Sequence, residues 1–156
     1  MLFSRRSKSS KKPACLTRLL VVEDDVIIAF AHEVDLKHAG YDVVATVNTG
    51  EAAVAVLAER EIDAVVLDLN IAGAIGGQDV ARLAHDRGVA VLLVSGLEAG
   101  AAAPYAFGLL RKPVGPGILI AALRAMEAKL CRGEVPPPVA GLSMLNEVNG
   151  PEQAVG

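Results

Sequence analysis

Short apolar runs that end in a polar residue recur along the chain and alternate with segments of helical periodicity. The runs cover residues 19–22, 41–47, 63–68, 89–95 and 107–111. A continuous run of β-branched and other aliphatic residues is typical of a strand buried on both faces of a parallel sheet. Five such runs separated by helices predict a single doubly wound α/β domain.

The segments between the runs predict the helices. Residues 26–39 place Ile27, Phe30, Ala31 and Val34 on one face of a first helix, with Asp25 as its N-terminal cap. Asn48 and Glu51 have the spacing of a capping box for the next helix. The segment 96–104 is rich in Ala and Gly and predicts at most a short helix, and residues 117–131 predict the last one.

The stretch 63–73, with the sequence DAVVLDLNIAG, contains the most informative charge in the chain. Asp68 directly follows a buried strand, where a carboxylate without partners would be costly to bury. We therefore expect Asp68 at the carboxyl end of the strand, the edge where open α/β sheets bind their ligands.

Other polar side chains follow the neighbouring strands. Glu23-Asp24-Asp25 ends the first strand, Ser95 the fourth and Lys112 the fifth. Parallel strands bring their carboxyl ends to one edge, so these groups are predicted to converge around Asp68. Carboxylates that meet without His or Cys favour a hard cation, and the predicted cofactor is Mg²⁺.

This set of groups suits phosphoryl transfer onto a carboxylate. Asp68 would be the nucleophile, and an aspartyl phosphate is a known type of covalent intermediate. Mg²⁺ and Lys112 would neutralise charge on the phosphoryl oxygens, and Ser95 would hydrogen-bond one of them.

The motifs VVEDD (21–25), VVLDLN (65–70), LLVSG (92–96) and LLRKP (109–113) resemble, in order, those of the CheY-like response-regulator receiver domain of two-component signalling. The resemblance spans nearly all of residues 18–130 and implies a flavodoxin-like five-stranded sheet with strand order 2-1-3-4-5. It also implies the site roles, with the following residues: Asp68 as phosphoacceptor, Glu23, Asp24 and the Asn70 carbonyl as Mg²⁺ ligands, Ser95 as switch hydroxyl, and Lys112, before a cis Pro113, as phosphate contact.

Two departures from the family pattern bear on signal transmission. Leu109 stands where the family commonly has an aromatic switch residue. The interval between Ser95 and Lys112 is short, so the fourth helix is expected to be short or disordered. The motifs DLNIAG (68–73) and RGVAVLLVSG (87–96), together with the non-aromatic Leu109 before Lys112-Pro113, resemble the atypical FATGUY-type single-domain regulators of alphaproteobacteria. The match is partial, since Val94-Ser95-Gly96-Leu97 stands where that motif has Ala-Thr-Gly-Tyr.

Composition predicts the bounds of the domain and the compartment of the protein. Residues 1–17 are basic and read as a flexible tail, 18–131 as the receiver domain, and 132–156 as a flexible tail rich in Pro and Gly. Cys15 and Cys131 belong to no metal motif, and we expect two free thiols in a reducing cytosol. No apolar run reaches membrane-spanning length, so a cytoplasmic protein without a membrane span is predicted.

The predicted function is a stand-alone receiver phosphorylated by a sensor histidine kinase or a histidine phosphotransfer protein. It would catalyse only its own phosphorylation and dephosphorylation, and it would signal to a downstream protein target or act as a phosphorelay or phosphate sink. No DNA-binding domain is expected. Two alternatives remain open: a haloacid-dehalogenase-like phosphatase, for which Asn70 replaces the expected second acid, and a degenerate receiver that only binds partners.

Overall fold

The computed structural model describes residues 15–145, and its elements alternate as the sequence predicts. The strands are β1 (Arg18–Val22), β2 (Asp42–Val47), β3 (Ala64–Asp68), β4 (Ala90–Ser95), β5 (Gly108–Arg111) and β6 (Leu142–Met144). The α-helices are α1 (Val26–His38), α2 (Gly50–Glu59), α3 (Gly77–Asp86) and α4 (Ile118–Arg132), and a 3₁₀ helix spans Gly100–Tyr105.

One sheet organises the domain. Its strand order is β2-β1-β3-β4-β5-β6, and the first five strands run parallel. The predicted flavodoxin-like order 2-1-3-4-5 is confirmed. The prediction of five strands is corrected to six, because β6 adds to β5 in the antiparallel direction.

Both faces of the sheet are covered, which explains why the strands are continuous apolar runs. Leu20, Val65 and Leu67 point to the face packed by α2 and α3. The alternate positions, such as Leu19 and Val66, point to the face packed by α1 and α4. The sheet is therefore the middle of three layers, and only its edges are open to ligands.

The apolar face predicted for α1 is not the face that packs on the sheet. Ala29, His32 and Leu36 are buried, whereas Ile27 is 80% exposed and Phe30 is 68% exposed. Because residues 26–31 are all apolar, helical periodicity alone could not decide which stripe meets the sheet. Asp25 caps α1 as predicted, and its carboxylate accepts hydrogen bonds from the N–H groups of Ile27 and Ile28.

The capping box predicted for α2 is wrong. Thr49, not Asn48, is the N-terminal cap, and its hydroxyl accepts from the Ala52 N–H at 3.1 Å. The Glu51 carboxylate instead accepts from the N–H groups of Ala74 and Ile75. Glu51 thus fastens the loop after β3, which a local motif could not reveal.

The segment before β5 holds the 3₁₀ helix Gly100–Tyr105, which agrees with the predicted short fourth helix. None of the helices within residues 15–145 combines the length and the apolar character needed to cross a membrane.

The segment after α4 contributes structure that the sequence did not predict. Leu142 and Met144 of β6 pack on the same core cluster as α4, and Leu142 pairs with Leu110. The Arg111 N–H donates to Gly141, and the Leu145 N–H donates to Phe107. Part of the predicted C-terminal tail is therefore a strand, and its remainder, 146–156, lies outside the described residues.

The first described residues are also held by tertiary contacts. Leu16 is buried, and the Thr17 and Arg18 N–H groups donate to the Asp63 carboxylate. Residues 1–14 of the predicted basic tail lie outside the described part of the chain.

The two cysteines are not free thiols as predicted. Cys15 and Cys131 are joined as a disulfide, and their Cα atoms are 5.9 Å apart. The sequence separation of 116 residues hides this proximity, which arises because the start of β1 and the end of α4 lie at the same corner of the fold.

A substitution of Gly108 tests the close contact between β5 and β6. A Cβ atom at this position would lie 3.1 Å from both Leu142 Cδ1 and the Ser143 carbonyl oxygen. We expect Gly108→Val to displace β6 and to lower the hydrogen-exchange protection of the Leu145 amide at least ~10-fold, equivalent to about 1.4 kcal/mol.

Gly96→Ala is the matched control, because a Cβ at Gly96 meets nothing within 4 Å. Unchanged protection of the Leu145 amide in Gly108→Val would show that the β5–β6 contact is not limited by this close approach.

Candidate functional site

The carboxyl ends of β1 and β3 bring three acids together. Glu23 follows β1, Asp68 ends β3, and both side chains are buried, with 3% and 5% of the residue surface exposed. Asp24 is exposed beside them. One carboxylate oxygen from each of the three lies within 4.8 Å of the others. The structure thus brings together the acids that the sequence predicted at this edge.

Lys112 completes the cluster from the end of β5. Its Nζ donates to Glu23 Oε2 at 2.9 Å and to Asp68 Oδ2 at 3.0 Å. The Lys112–Pro113 peptide bond is cis, as the family resemblance implied. A single ammonium group therefore bridges two buried carboxylates that belong to different strands.

The remaining carboxylate oxygens are held by the backbone. The Asn70 N–H donates to Asp68 Oδ1 at 2.9 Å, and the Asp25 N–H donates to Glu23 Oε1 at 3.2 Å. Asn70 is thus placed next to Asp68, although its side chain is exposed and is not part of the acidic cluster.

Burial and pairing act against each other in this cluster. Burial raises the pKa of Glu23 above its ordinary value, more than the hydrogen bond from Lys112 lowers it. Burial alone would lower the pKa of Lys112, but the hydrogen bonds to Glu23 and Asp68 outweigh it, so that pKa is raised. The lysine therefore stays charged over the physiological pH range.

The acidic cluster has the donor set of a hard divalent cation. All its potential ligand atoms are carboxylate oxygens, and Asp24 is accessible from solvent. Mg²⁺ binds through one or two carboxylates, keeps several waters and takes its remaining ligands from a phosphate. The residues present therefore fit Mg²⁺, with Glu23, Asp24 and Asp68 as the groups that would hold it.

Ser95 lies at the same edge, one residue beyond Val94, the partner of Asp68 in the β3–β4 ladder. Its side chain is buried, and its Oγ accepts a hydrogen bond from the Leu97 N–H at 3.0 Å. Its carbonyl accepts from the Lys112 N–H. Ser95 is thus connected both to the loop after β4 and to the lysine.

His32 was not among the side chains that the sequence singled out. It is buried in α1, and Nδ1 has no hydrogen-bond partner among the described residues. Burial and the nearby positive charge of Lys112 lower the pKa of His32. It lines a groove of about 800 Å³ between α1 and the segment that follows Lys112. The spacing of Ala29, His32 and Leu36 was the available signal.

Residues 19–124 match the family model of the response regulator receiver domain. The DNA-binding response regulator MtrA of Mycolicibacterium paratuberculosis is 34% identical over 119 residues, which are 69% of this chain and 50% of that protein. The chain therefore spans about half the length of this curated relative.

Solved structures of receiver domains are also similar to this chain. The signal receiver domain of a modulated diguanylate cyclase from Desulfovibrio desulfuricans is 27% identical, with a TM-score of 0.68, and covers 76% of this chain and 99% of its own. The response regulator TrrA of Thermotoga maritima, solved in complex with Mg²⁺ and BeF, is 22% identical, with a TM-score of 0.64. The match covers 70% of this chain and 98% of the TrrA chain. The family match, the sheet order and the acidic edge lead to one conclusion: this chain belongs to the response regulator receiver domain family.

Proposed function

We propose that this receiver accepts a phosphoryl group on Asp68 from a histidine kinase or a histidine phosphotransfer protein. The observation that carries the proposal is the contact of Lys112 Nζ with Asp68 and Glu23, next to the exposed Asp24. It supplies a nucleophile, a fixed positive charge and a cation site within one sheet edge.

In the proposed reaction, an Asp68 carboxylate oxygen attacks the phosphorus of the donor's phosphohistidine. The bond from oxygen to phosphorus forms as the bond from nitrogen to phosphorus breaks, and the imidazole leaves. Negative charge remains on the phosphoryl oxygens, and the ammonium of Lys112 is already within hydrogen-bond distance of Asp68 to balance it. Positioning by the sheet supplies much of the remaining advantage.

Glu23, Asp24, Asp68 and the Asn70 carbonyl are the proposed Mg²⁺ ligands. When bound, Mg²⁺ would neutralise charge on the carboxylates and on the incoming phosphoryl group. The oxygen-only cluster supports this proposal, as does the Mg²⁺ complex of the structurally similar TrrA.

Ser95 is the proposed reporter of phosphorylation. Its hydroxyl accepts from the Leu97 N–H and can donate its own hydrogen to a phosphoryl oxygen, so a bound phosphoryl group would be connected through Ser95 to the loop after β4. Leu109 is buried where the family commonly has an aromatic residue. We therefore propose that the response is transmitted without an aromatic switch, as in the FATGUY-type regulators that the sequence resembles.

The exposed side of α1 is the proposed docking face for the phosphodonor. Val26, Ile27 and Phe30 lie in its first two turns, directly after the acids, and are largely exposed. A histidine must approach Asp68 from this edge, so a donor helix would cover these apolar side chains as it does so. Burial of this surface would supply affinity close to the reacting atoms.

The output of the phosphorylated receiver is proposed to be the binding of a protein partner or onward transfer in a phosphorelay. The curated relative is about twice as long as the matched region and is named as DNA-binding. In this chain the receiver region alone carries the proposed output.

Phosphorylation is tested by incubation with acetyl phosphate and Mg²⁺, followed by intact-mass measurement. We expect one phosphoryl adduct in the wild type and none in Asp68→Asn, because the amide cannot act as the nucleophile. Asp86→Asn, an exposed acid at the end of α3, is the matched control and should retain the adduct.

An adduct of equal yield in Asp68→Asn would place the phosphoacceptor elsewhere. The absence of any adduct in the wild type would favour the degenerate receiver, and steady release of phosphate from varied monoesters would favour the phosphatase.

The Mg²⁺ site is tested by thermal unfolding with and without the metal. Binding at 100 times the dissociation constant stabilises a protein by about 2.7 kcal/mol, so we expect Mg²⁺ to raise Tm by roughly 5–10 °C. Asp24→Asn should lose most of this shift because it removes the exposed ligand.

Asp25→Asn makes the same change of charge one residue away, at the cap of α1. It should lower Tm itself but keep the Mg²⁺ shift. An undiminished shift in Asp24→Asn would exclude Asp24 as a ligand.

The separation of chemistry from switching is tested at Leu109. Leu109→Tyr should change the rate of phosphorylation by acetyl phosphate less than ~2-fold, because Leu109 lies outside the charged cluster. Lys112→Ala should lower that rate ~10-fold or more, since it removes the balancing charge. Circular dichroism checks that the larger Tyr is accommodated in the core. Equal losses of rate in the two folded variants would contradict this division.

A further inference from the structure

The Cys15–Cys131 pair lies far from the phosphorylation site. Cys15 precedes β1 by three positions, and Cys131 lies in the last turn of α4. Asp68 and Lys112 lie at the carboxyl edge of the sheet. Because α4 starts soon after Lys112 and its 15 residues rise about 22 Å, Cys131 lies at the other end of that helix. Neither cysteine therefore takes part in the chemistry at Asp68.

The proximity of the two cysteines is built by noncovalent contacts on both sides. Leu16, next to Cys15, is buried in the core cluster on which Cys131 packs. The Asp63 carboxylate accepts hydrogen bonds from the N–H groups of Thr17 and Arg18, which fixes the start of β1. The Cα separation of 5.9 Å lies within the range that disulfides require. The fold would therefore hold the two thiols close together in the reduced protein as well.

The pair is also accessible to small molecules. Cys15 is an exposed residue and Cys131 is half-buried, so the pair lies at the surface of the domain and not in its core. These are the only cysteines in the sequence, which leaves no competing thiol within the chain. Exposed disulfides are the ones that thiols reduce readily.

We propose that Cys15 and Cys131 form a reversible thiol–disulfide site, closed by peroxides and opened by thiol reductants. Its closure ties the end of α4, from which the segment leading to β6 departs, to the start of β1. This proposal does not rest on the proposed phosphorylation of Asp68.

Closure of the site is a two-electron oxidation of the two thiols by the peroxide. The Cys15 thiolate attacks one oxygen of hydrogen peroxide, a sulfur–oxygen bond forms as the oxygen–oxygen bond breaks, and the departing hydroxide is protonated to water. The Cys131 thiolate then attacks the sulfenic sulfur of Cys15, and a second water leaves. Two electrons pass from the sulfur pair to the peroxide. In reopening, two thiolates of dithiothreitol displace the protein thiolates in turn.

Closure should stabilise the fold because it constrains the unfolded chain. The crosslink spans 116 residues, and long closed loops lose the most conformational freedom in the unfolded state. We expect Tm of the oxidised protein to exceed that of the reduced protein by roughly 5–15 °C.

The experiment uses the full chain, reduced with dithiothreitol, desalted and then treated with hydrogen peroxide. Alkylation under denaturing conditions with intact-mass measurement should find two alkyl groups before oxidation and none after it. Renewed dithiothreitol on the folded protein should restore both. Cys15→Ser and Cys131→Ser each keep one thiol that has no partner in the chain. After mild oxidation that thiol should either still be alkylated or be found as a sulfenic acid. In both variants Tm should be the same before and after oxidation.

Four outcomes would overturn the proposal: two alkylatable thiols after oxidation, a disulfide-linked dimer as the main product, a disulfide that resists dithiothreitol until the chain unfolds, or an unchanged Tm. The yield of the acetyl phosphate adduct is measured in both redox states as a separate readout. Equal yields would support the independence of the two sites, and a change of more than ~2-fold would overturn it. A protein that closes and opens but takes no phosphoryl group would refute only the proposed function.

Discussion

The contact of Lys112 with two buried carboxylates is the constraint on which this site depends. Glu23 and Asp68 are nearly inaccessible to water, and without a cation their charges would repel and would be poorly solvated. Lys112 comes from a strand that is not adjacent to either carboxylate's strand. The contact can therefore form only when β1, β3 and β5 are assembled with their carboxyl ends at one edge, so fold and site form together.

The acidic edge was predictable because it follows from two local facts. The first, third, fourth and fifth strands are apolar runs that stop at a polar residue, as at Asp68, Ser95 and Lys112. Parallel topology then brings the ends together without knowledge of side-chain packing. The exact pairing of Lys112 with both carboxylates depends on rotamers and distances, and sequence periodicity carries no information on these.

The features that sequence reasoning missed depend on contacts between distant segments. Six consecutive apolar residues at the start of α1 fit either orientation, and only the packing of Ala29 and Leu36 on the sheet leaves Phe30 exposed. Glu51 fits a capping box but binds the loop after β3 instead. The segment that forms β6 follows three prolines and has no periodicity, so the sequence gives no sign that it approaches Gly108 closely enough to pair with β5.

The position of β6 also bears on how molecules of this protein meet. An exposed parallel strand such as β5 would offer free backbone groups to any extended segment of another chain, which is a common start of aggregation. β6 covers this row with a partner from the same molecule, and it presents to solvent an edge of only three residues. Very short edge strands are poor templates for intermolecular pairing. On this side of an almost entirely aliphatic sheet, the added strand thus leaves only a short edge for another chain to pair with.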